Sequence, residues 1–316
     1  MRPHCLRFTP AGRRRLAGLN AEYRDNSLLT RSQSLVAIHV VAVLFGATGI
    51  FGAVIDANAA VITWGRAVFA VLTLVLVGGA LGERGFKQVF AQAHGWALFG
   101  SGAMLALHWV SFFISVKMGG IAVATLGFAS FPAFITLIEW GILRERIQRV
   151  EWLRLFVVSL GLLLITPSFD LHDIATEGLL WGLLSGASFG LLAVMNRRAL
   201  SGVNAFHVAG LQNVVVCVLL TPWIFFELRT VSVNDWYLIA ALGVICTGVA
   251  HLLFVSSLRC LPARTAGLVV ASEPLYAIGF AWILFAEVPS ARTLVGAVMM
   301  VGAIFSASLA VHRAKH

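Results

Sequence analysis

Three ionisable residues, Arg66, Glu139 and Glu273, stand inside long apolar runs of this sequence. A charge in hydrocarbon is costly, so such a group faces a water-filled cavity or a partner. Arg66 lies about 12 Å from the nearer end of its run at the helical rise per residue, too deep to reach an interface, and reads as a cavity or ion-pair residue. Glu273 directly precedes Pro274. An acid there could meet an ammonium group, exchange a proton or pair with an arginine. Glu139 is four residues from the end of its run and reads as a carboxylate that snorkels outward.

Four histidines, His39, His108, His207 and His251, lie in the same apolar surroundings, and His108 is followed by Trp109. Histidine can titrate near neutral pH, and an aromatic face can stack on a ring or attract a cation. Trp64, Trp109, Phe112, Phe128 and Tyr276 could hold an apolar or aromatic group, while Ser130, Gln212, Asn213 and Ser272 could orient a charged end. Together these residues suit a small amphipathic ligand. The cysteines, Cys5, Cys217, Cys246 and Cys260, show no CxxC or metal-ligand spacing and read as small packing residues. No Walker A string occurs, and the histidines and acids are too scattered for a recognisable catalytic motif. No cofactor or metal is expected.

The elements that carry these residues follow from composition. The 316 residues are 59% hydrophobic and 12% charged, against roughly 25% charged in an ordinary soluble domain. Apolar runs of about 20 residues recur along the chain, the length a helix needs to cross roughly 30 Å of hydrocarbon. They are continuous rather than alternating, which excludes a transmembrane β-barrel. Ten spans are predicted, at 34–54, 58–80, 95–116, 121–143, 151–168, 176–196, 204–226, 236–258, 265–286 and 291–312. The fold class is thus an all-α integral membrane protein, with no room for a soluble domain.

The net charge of +9 is dispersed in short clusters between the spans, so it argues for membrane topology rather than nucleic-acid binding. Nineteen of the 23 Lys and Arg fall on the side that holds both termini, which the positive-inside rule makes cytoplasmic. Residues 1–33, with Arg13, Arg14 and Arg15, read as a basic cytoplasmic tail.

The sequence also echoes itself. A shift of 142 superposes Ser130 on Ser272, Pro132 on Pro274, Glu145 on Glu287, Lys117 on Arg259 and Trp109 on His251. A weaker match near 140 aligns Gly46 and Ala47 with Gly186 and Ala187. Five spans per copy is an odd number, so the copies, 34–168 and 174–312, must cross the membrane in opposite senses. Inverted repeats are characteristic of secondary transporters. Pro132 and Pro274 fall near mid-membrane, and each predicts a helix kink, with a shared bending or gating role. Gly178, Gly182, Gly186 and Gly190, like Gly46, Gly49 and Gly52, predict faces of close helix approach.

Two stretches carry a family resemblance: HWVSFFISVKMGGIAVATLGFASFPAFITLIEWGILRERI followed by EWLRLFVVSLGLLLIT, and LRCLPARTAGLVVASEPLYAIGFAWILFAEV followed by GAVMMVGAIF. Both resemble the repeated pattern of the EamA branch of the drug/metabolite transporter superfamily, ten-helix exporters that include aromatic amino acid exporters of the YddG type. The resemblance spans about residues 34–312. It implies a basket of helices around a central cavity lined by helices one, three, four, six, eight and nine. It further implies export of small amphipathic metabolites, amino acids foremost, across the cytoplasmic membrane by alternating access, as a monomer or weak oligomer. The driving force would be the substrate gradient alone or a proton gradient. The competing readings are a carrier of drugs or nucleotide-type metabolites from the same superfamily, and an intramembrane enzyme.

Overall fold

A computed structural model describes residues 29–80, 95–165, 174–200 and 203–285 of the protein, and a subset of 290–306 (290–292, 294–296, 298, 299, 302, 303 and 306). The basic tail through residue 28, the loop acids Asp170 and Asp173, Glu287 and much of the last predicted span lie outside the described residues.

Among the described residues all regular structure is helical. The helices are α1 (Arg31–Val54), α2 (Ala59–Ala80), α3 (Gly95–Phe128), α4 (Phe131–Leu137), α5 (Arg149–Ile165), α6 (Ile174–Arg198), α7 (Ala205–Ile224), α8 (Val233–Ala241), α9 (Ala250–Cys260), α10 (Ala263–Val270) and α11 (Glu273–Phe285). Wider π-helical turns extend α4 over Ile138–Ile142 and join α8 to α9 over Leu242–Val249. Helix starts follow local chemistry. Thr30 and Gln33 form a reciprocal capping box at α1, and the side chains of Asn58, Asn204 and Ser232 accept from the first free N–H groups of their helices.

Seven helical stretches are long and apolar enough to cross a membrane, and the longest covers Gly95–Ile142. Its 48 residues are about twice what one crossing needs, and the chain turns back within it. Gly120 has φ 79° and ψ 176°, a left-handed value that a side chain would disfavour. Before it, Ser115 meets Gly178 and His108 meets Ser185, so the first limb runs antiparallel to α6. After it, a Cβ on Gly127 would lie 2.7 Å from Gly182, and one on Gly190 would lie 3.0 Å from Phe134, so the second limb runs parallel to α6.

The glycine stripe of α6 is therefore the floor on which both limbs rest. The prolines start helices instead of bending them. Pro132 lies in the first turn of α4 and Pro274 is the second residue of α11, each just after a break at 129–130 or 271–272. At both breaks the serine hydroxyl donates to the carbonyl three residues back, Ser130 to Gly127 at 2.7 Å and Ser272 to Val269 at 2.6 Å. The expected mid-membrane kink is thus a two-segment joint in which proline supplies an N-terminal residue needing no amide partner.

One packing contact occurs twice. A Cβ on Gly46 would meet Tyr276 Cβ, Ala277 N and Glu273 O at 2.7, 3.0 and 3.1 Å; one on Gly190 would meet Phe134 Cβ, Ile135 N and Phe131 O at 3.0, 3.3 and 3.1 Å. The partners differ by 142 in each case. The weaker sequence match had paired Gly46 with Gly186; in three dimensions Gly190 takes the equivalent place.

Candidate functional site

A small cavity lies among these contacts, walled by Phe45 and Thr48 of α1, Arg66 of α2, His108, Trp109, Phe112 and Phe128 of α3, and Glu273 of α11. Its volume is about 20 Å³. That is enough for a water molecule and far too little for a metabolite.

Arg66 is placed by a local peculiarity of the chain between α8 and α9. In the π stretch the Thr247 hydroxyl donates to the Leu242 carbonyl at 2.9 Å, which leaves its oxygen to accept from Arg66 Nε at 2.8 Å. Arg66 Nη2 donates to the Cys246 carbonyl at 3.5 Å. Gly243 permits the approach, because a Cβ there would stand 2.8 Å from the Arg66 carbonyl and 2.5 Å from Phe69 Cβ. The guanidinium carbon sits 4.2 Å from the centre of the Trp109 ring and 5.4 Å from that of Phe113, an attraction worth about 2 kcal/mol when desolvated. One nitrogen, Nη1, is buried with no hydrogen-bond acceptor.

Glu273 is 2% exposed and lines the same cavity. Among the described residues its carboxylate accepts no hydrogen bond and makes no ion pair within 4 Å, Arg66 included. The site therefore brings a guanidinium with an unused donor and a carboxyl group together on one cavity lined by aromatic rings. Phe128 stacks on Phe131 at 4.8 Å, and His108 lies 4.9 Å from Phe128 and 4.7 Å from Phe189.

The histidines divide between this wall and the scaffold behind it. His108 Nδ1 contacts Ser185 Oγ at 2.7 Å. His251 Nε2 lies 3.0 Å from Gln212 Oε1, while Gln212 Nε2 donates to Ser101 Oγ at 2.7 Å and Asn196 Oδ1 at 2.6 Å. Ser101 commits its own proton to the Leu98 carbonyl, so it can only accept from Gln212. That fixes the amide orientation, and His251 must be the donor to Gln212 through Nε2–H. The His251 ring is also 6.1 Å from Trp109. His39 is exposed on α1 and His207 is buried on α7.

Of the residues singled out from sequence, Arg66, His108, Trp109, Phe112, Phe128 and Glu273 meet at one cavity. Gln212 and His251 form the network one layer out. Asn213 donates to the Ala209 carbonyl, Ser130 and Ser272 to their local carbonyls, Trp64 Nε1 to Thr221, and the half-buried Tyr276 packs over Gly46. Phe45 and Thr48 had no distinguishing signal in an apolar run. Glu139 does not snorkel. It is 3% exposed and pairs with Arg264 at 2.6 Å, and the same arginine reaches Glu151 at 2.7 Å and Glu145 at 3.4 Å while Arg198 also pairs with Glu145. One string, Gly186-Ala187-Ser188-Phe189-Gly190, does carry the spacing of a nucleophile elbow, GxSxG. It lies in the middle of α6 with Ser188 donating to Leu184 at 2.8 Å, without the strand-to-helix turn that exposes a nucleophile.

Residues 176–309 match the EamA-like transporter family. The second half of the chain therefore carries an EamA-like transporter domain. The chain is 23% identical over 287 residues to the uncharacterized transporter YxxF of Bacillus subtilis (88% of this chain, 90% of the relative). It is 26% identical over 259 residues to the pseudopaline exporter CntI of Pseudomonas aeruginosa (79% of this chain, 86% of the relative). One crystal structure superposes with a TM-score of 0.73 at 18% identity, covering 91% of this chain and all of the other, which shows a shared fold. The chain is thus a multi-pass membrane transporter and not an enzyme.

Proposed function

We propose that this transporter exports small zwitterionic amphiphiles, amino acids with aromatic or large apolar side chains first among them, by alternating access. The observation that carries the reading is the buried Arg66 Nη1 without an acceptor on an aromatic-walled cavity that Glu273 also lines. A buried polar group without a partner costs roughly 1–3 kcal/mol, more when charged. A substrate carboxylate at Arg66 would satisfy that donor, with its ammonium at Glu273. The apolar side chain would then lie against Phe45, Phe112 and Phe128.

The reading includes two inverted five-helix repeats, 34–168 and 174–312, with both termini cytoplasmic and the bundle in the cytoplasmic membrane. Supporting it are the duplicated Gly46 and Gly190 contacts, the matched joints at Ser130 and Ser272, and the opposed directions of the α3 limbs. Export as the direction agrees with the name of the pseudopaline exporter among its relatives. A proton gradient or the substrate gradient alone would drive the cycle.

Counterflow into proteoliposomes loaded with unlabelled solute tests the assignment. Labelled phenylalanine, tryptophan or leucine should exchange, while nucleobases and cationic drugs should not. Exchange with no amino acid, at any pH gradient, would sink the substrate class.

A further inference from the structure

The two ends of the bundle are held by the same kind of bond. Helix α6 meets Gly119 at Gly178, one turn after its start, and ends at Arg198, which pairs with Glu145, so these two points are about 30 Å apart at 1.5 Å per residue. At the first end, Lys117 Nζ donates to the Ile55 carbonyl at 2.5 Å, the first carbonyl beyond α1. At the other end, Arg259 Nη1 donates to the Leu200 carbonyl, two residues beyond α6. Lys117 and Arg259 differ by 142, the interval that relates the two joints and the two glycine contacts. The helices they reach, α1 and α6, are those that carry Gly46 and Gly190.

The chemistry of such a bond is directional. The last carbonyls of a helix lack amide partners and carry its negative dipole end, so a cation is favoured there. Each cation also stands beside a break in its own chain segment. Lys117 lies three residues before Gly120, and Arg259 lies three residues before Pro262. Each bond therefore ties the hinge of one helix pair to the end of a helix that packs on the joint of a pair. Other bonds support the same ends: the Asp235 carboxylate accepts from the Asp56 N–H at 2.9 Å, and Arg264 holds Glu139 and Glu151.

We propose that Lys117 and Arg259 are paired end clamps of the transport cycle, each closing the path at its own end and each released only while the other holds. Both are made in this structure, which accords with a cavity of about 20 Å³. The inference rests on the alternating-access reading above.

Sided labelling tests it. In a protein with all four cysteines replaced by serine, Thr48→Cys places a reporter in the cavity wall, and a membrane-impermeant maleimide is applied to right-side-out and to inverted vesicles. Lys117→Gln should raise the labelling rate from the α1–α2 side, and Arg259→Gln from the opposite side. The loss of one bond to a charged group should shift each by about tenfold, and less for the exposed Lys117 than for the buried Arg259. Lys117→Arg and Arg259→Lys should restore the parent rates, which a general loosening of the fold would not permit. Equal changes from both sides, or none, in a parent labelled from both sides overturn the clamps alone. A parent labelled from one side only overturns alternating access and the clamps with it.

Discussion

Arg66 uses Nε and Nη2 on the stretch between α8 and α9 and leaves Nη1 without an acceptor, while Glu273 lines the same cavity. Each charge should therefore be read by a different substrate group. Glu273→Gln keeps shape and removes the anion, so the apparent KM for an amino acid should rise about 10- to 100-fold. Inhibition by the matching acid without its amine should be unchanged. Arg66→Gln should reverse the pattern, weakening the amino acid and the deaminated acid but sparing the decarboxylated amine. Competition assays on the two variants check both. Much of this site was legible, because a charge in a 20-residue apolar run has few physical excuses. Phe45 and Thr48 were not legible, since a phenylalanine and a threonine in such a run look the same whether they face lipid, another helix or a cavity. Ser130 and Ser272 are a different case. Their spacing was informative, but each hydroxyl is used by the carbonyl three residues back.

At the scale of elements, glycine contacts fix how closely α1 and α6 approach the joints. A methyl at Gly46 or Gly190 would press on backbone atoms at 3.0–3.3 Å as well as on a Cβ, so the helices themselves must shift. Gly46→Ala and Gly190→Ala should each destabilise by about 1–3 kcal/mol, the range of an overpacked core. Gly279→Ala meets nothing within 4 Å and should be neutral or stabilising by up to about 1 kcal/mol. Thermal unfolding in detergent, followed by tryptophan fluorescence, separates the three. The sequence showed the glycine periodicity and the repeat interval, but not the register. Gly186 and Gly190 are both small residues four apart, and only the facing atoms distinguish them. It likewise placed the prolines without their effect, because proline can kink a helix or start one, and the choice depends on whether the preceding residues hold their own turn.

Across the whole molecule, Gln212 joins α3, α6 and α9 to α7 through Ser101, Asn196 and His251. Gln212→Leu would leave the His251 N–H and the Asn196 carbonyl oxygen without those partners, at roughly 1–3 kcal/mol for each buried group. The unfolding midpoint should fall, and amino acid selectivity should stay as it is, because Gln212 does not line the cavity. A fall in selectivity without a fall in stability would place Gln212 at the substrate. No periodicity announces such a network, since its members come from four helices 16 to 150 residues apart in sequence.

Arg66 and Glu273 also have a joint consequence for energetics. They stand on the cavity wall with His108, so when both are ionised and His108 is neutral their charges cancel. A zwitterion leaves that sum at zero. Membrane voltage does roughly 2.3 kcal/mol of work on each elementary charge carried through 100 mV, so in that state a cycle driven by the substrate gradient alone would offer it no net charge to move, and a coupled proton would.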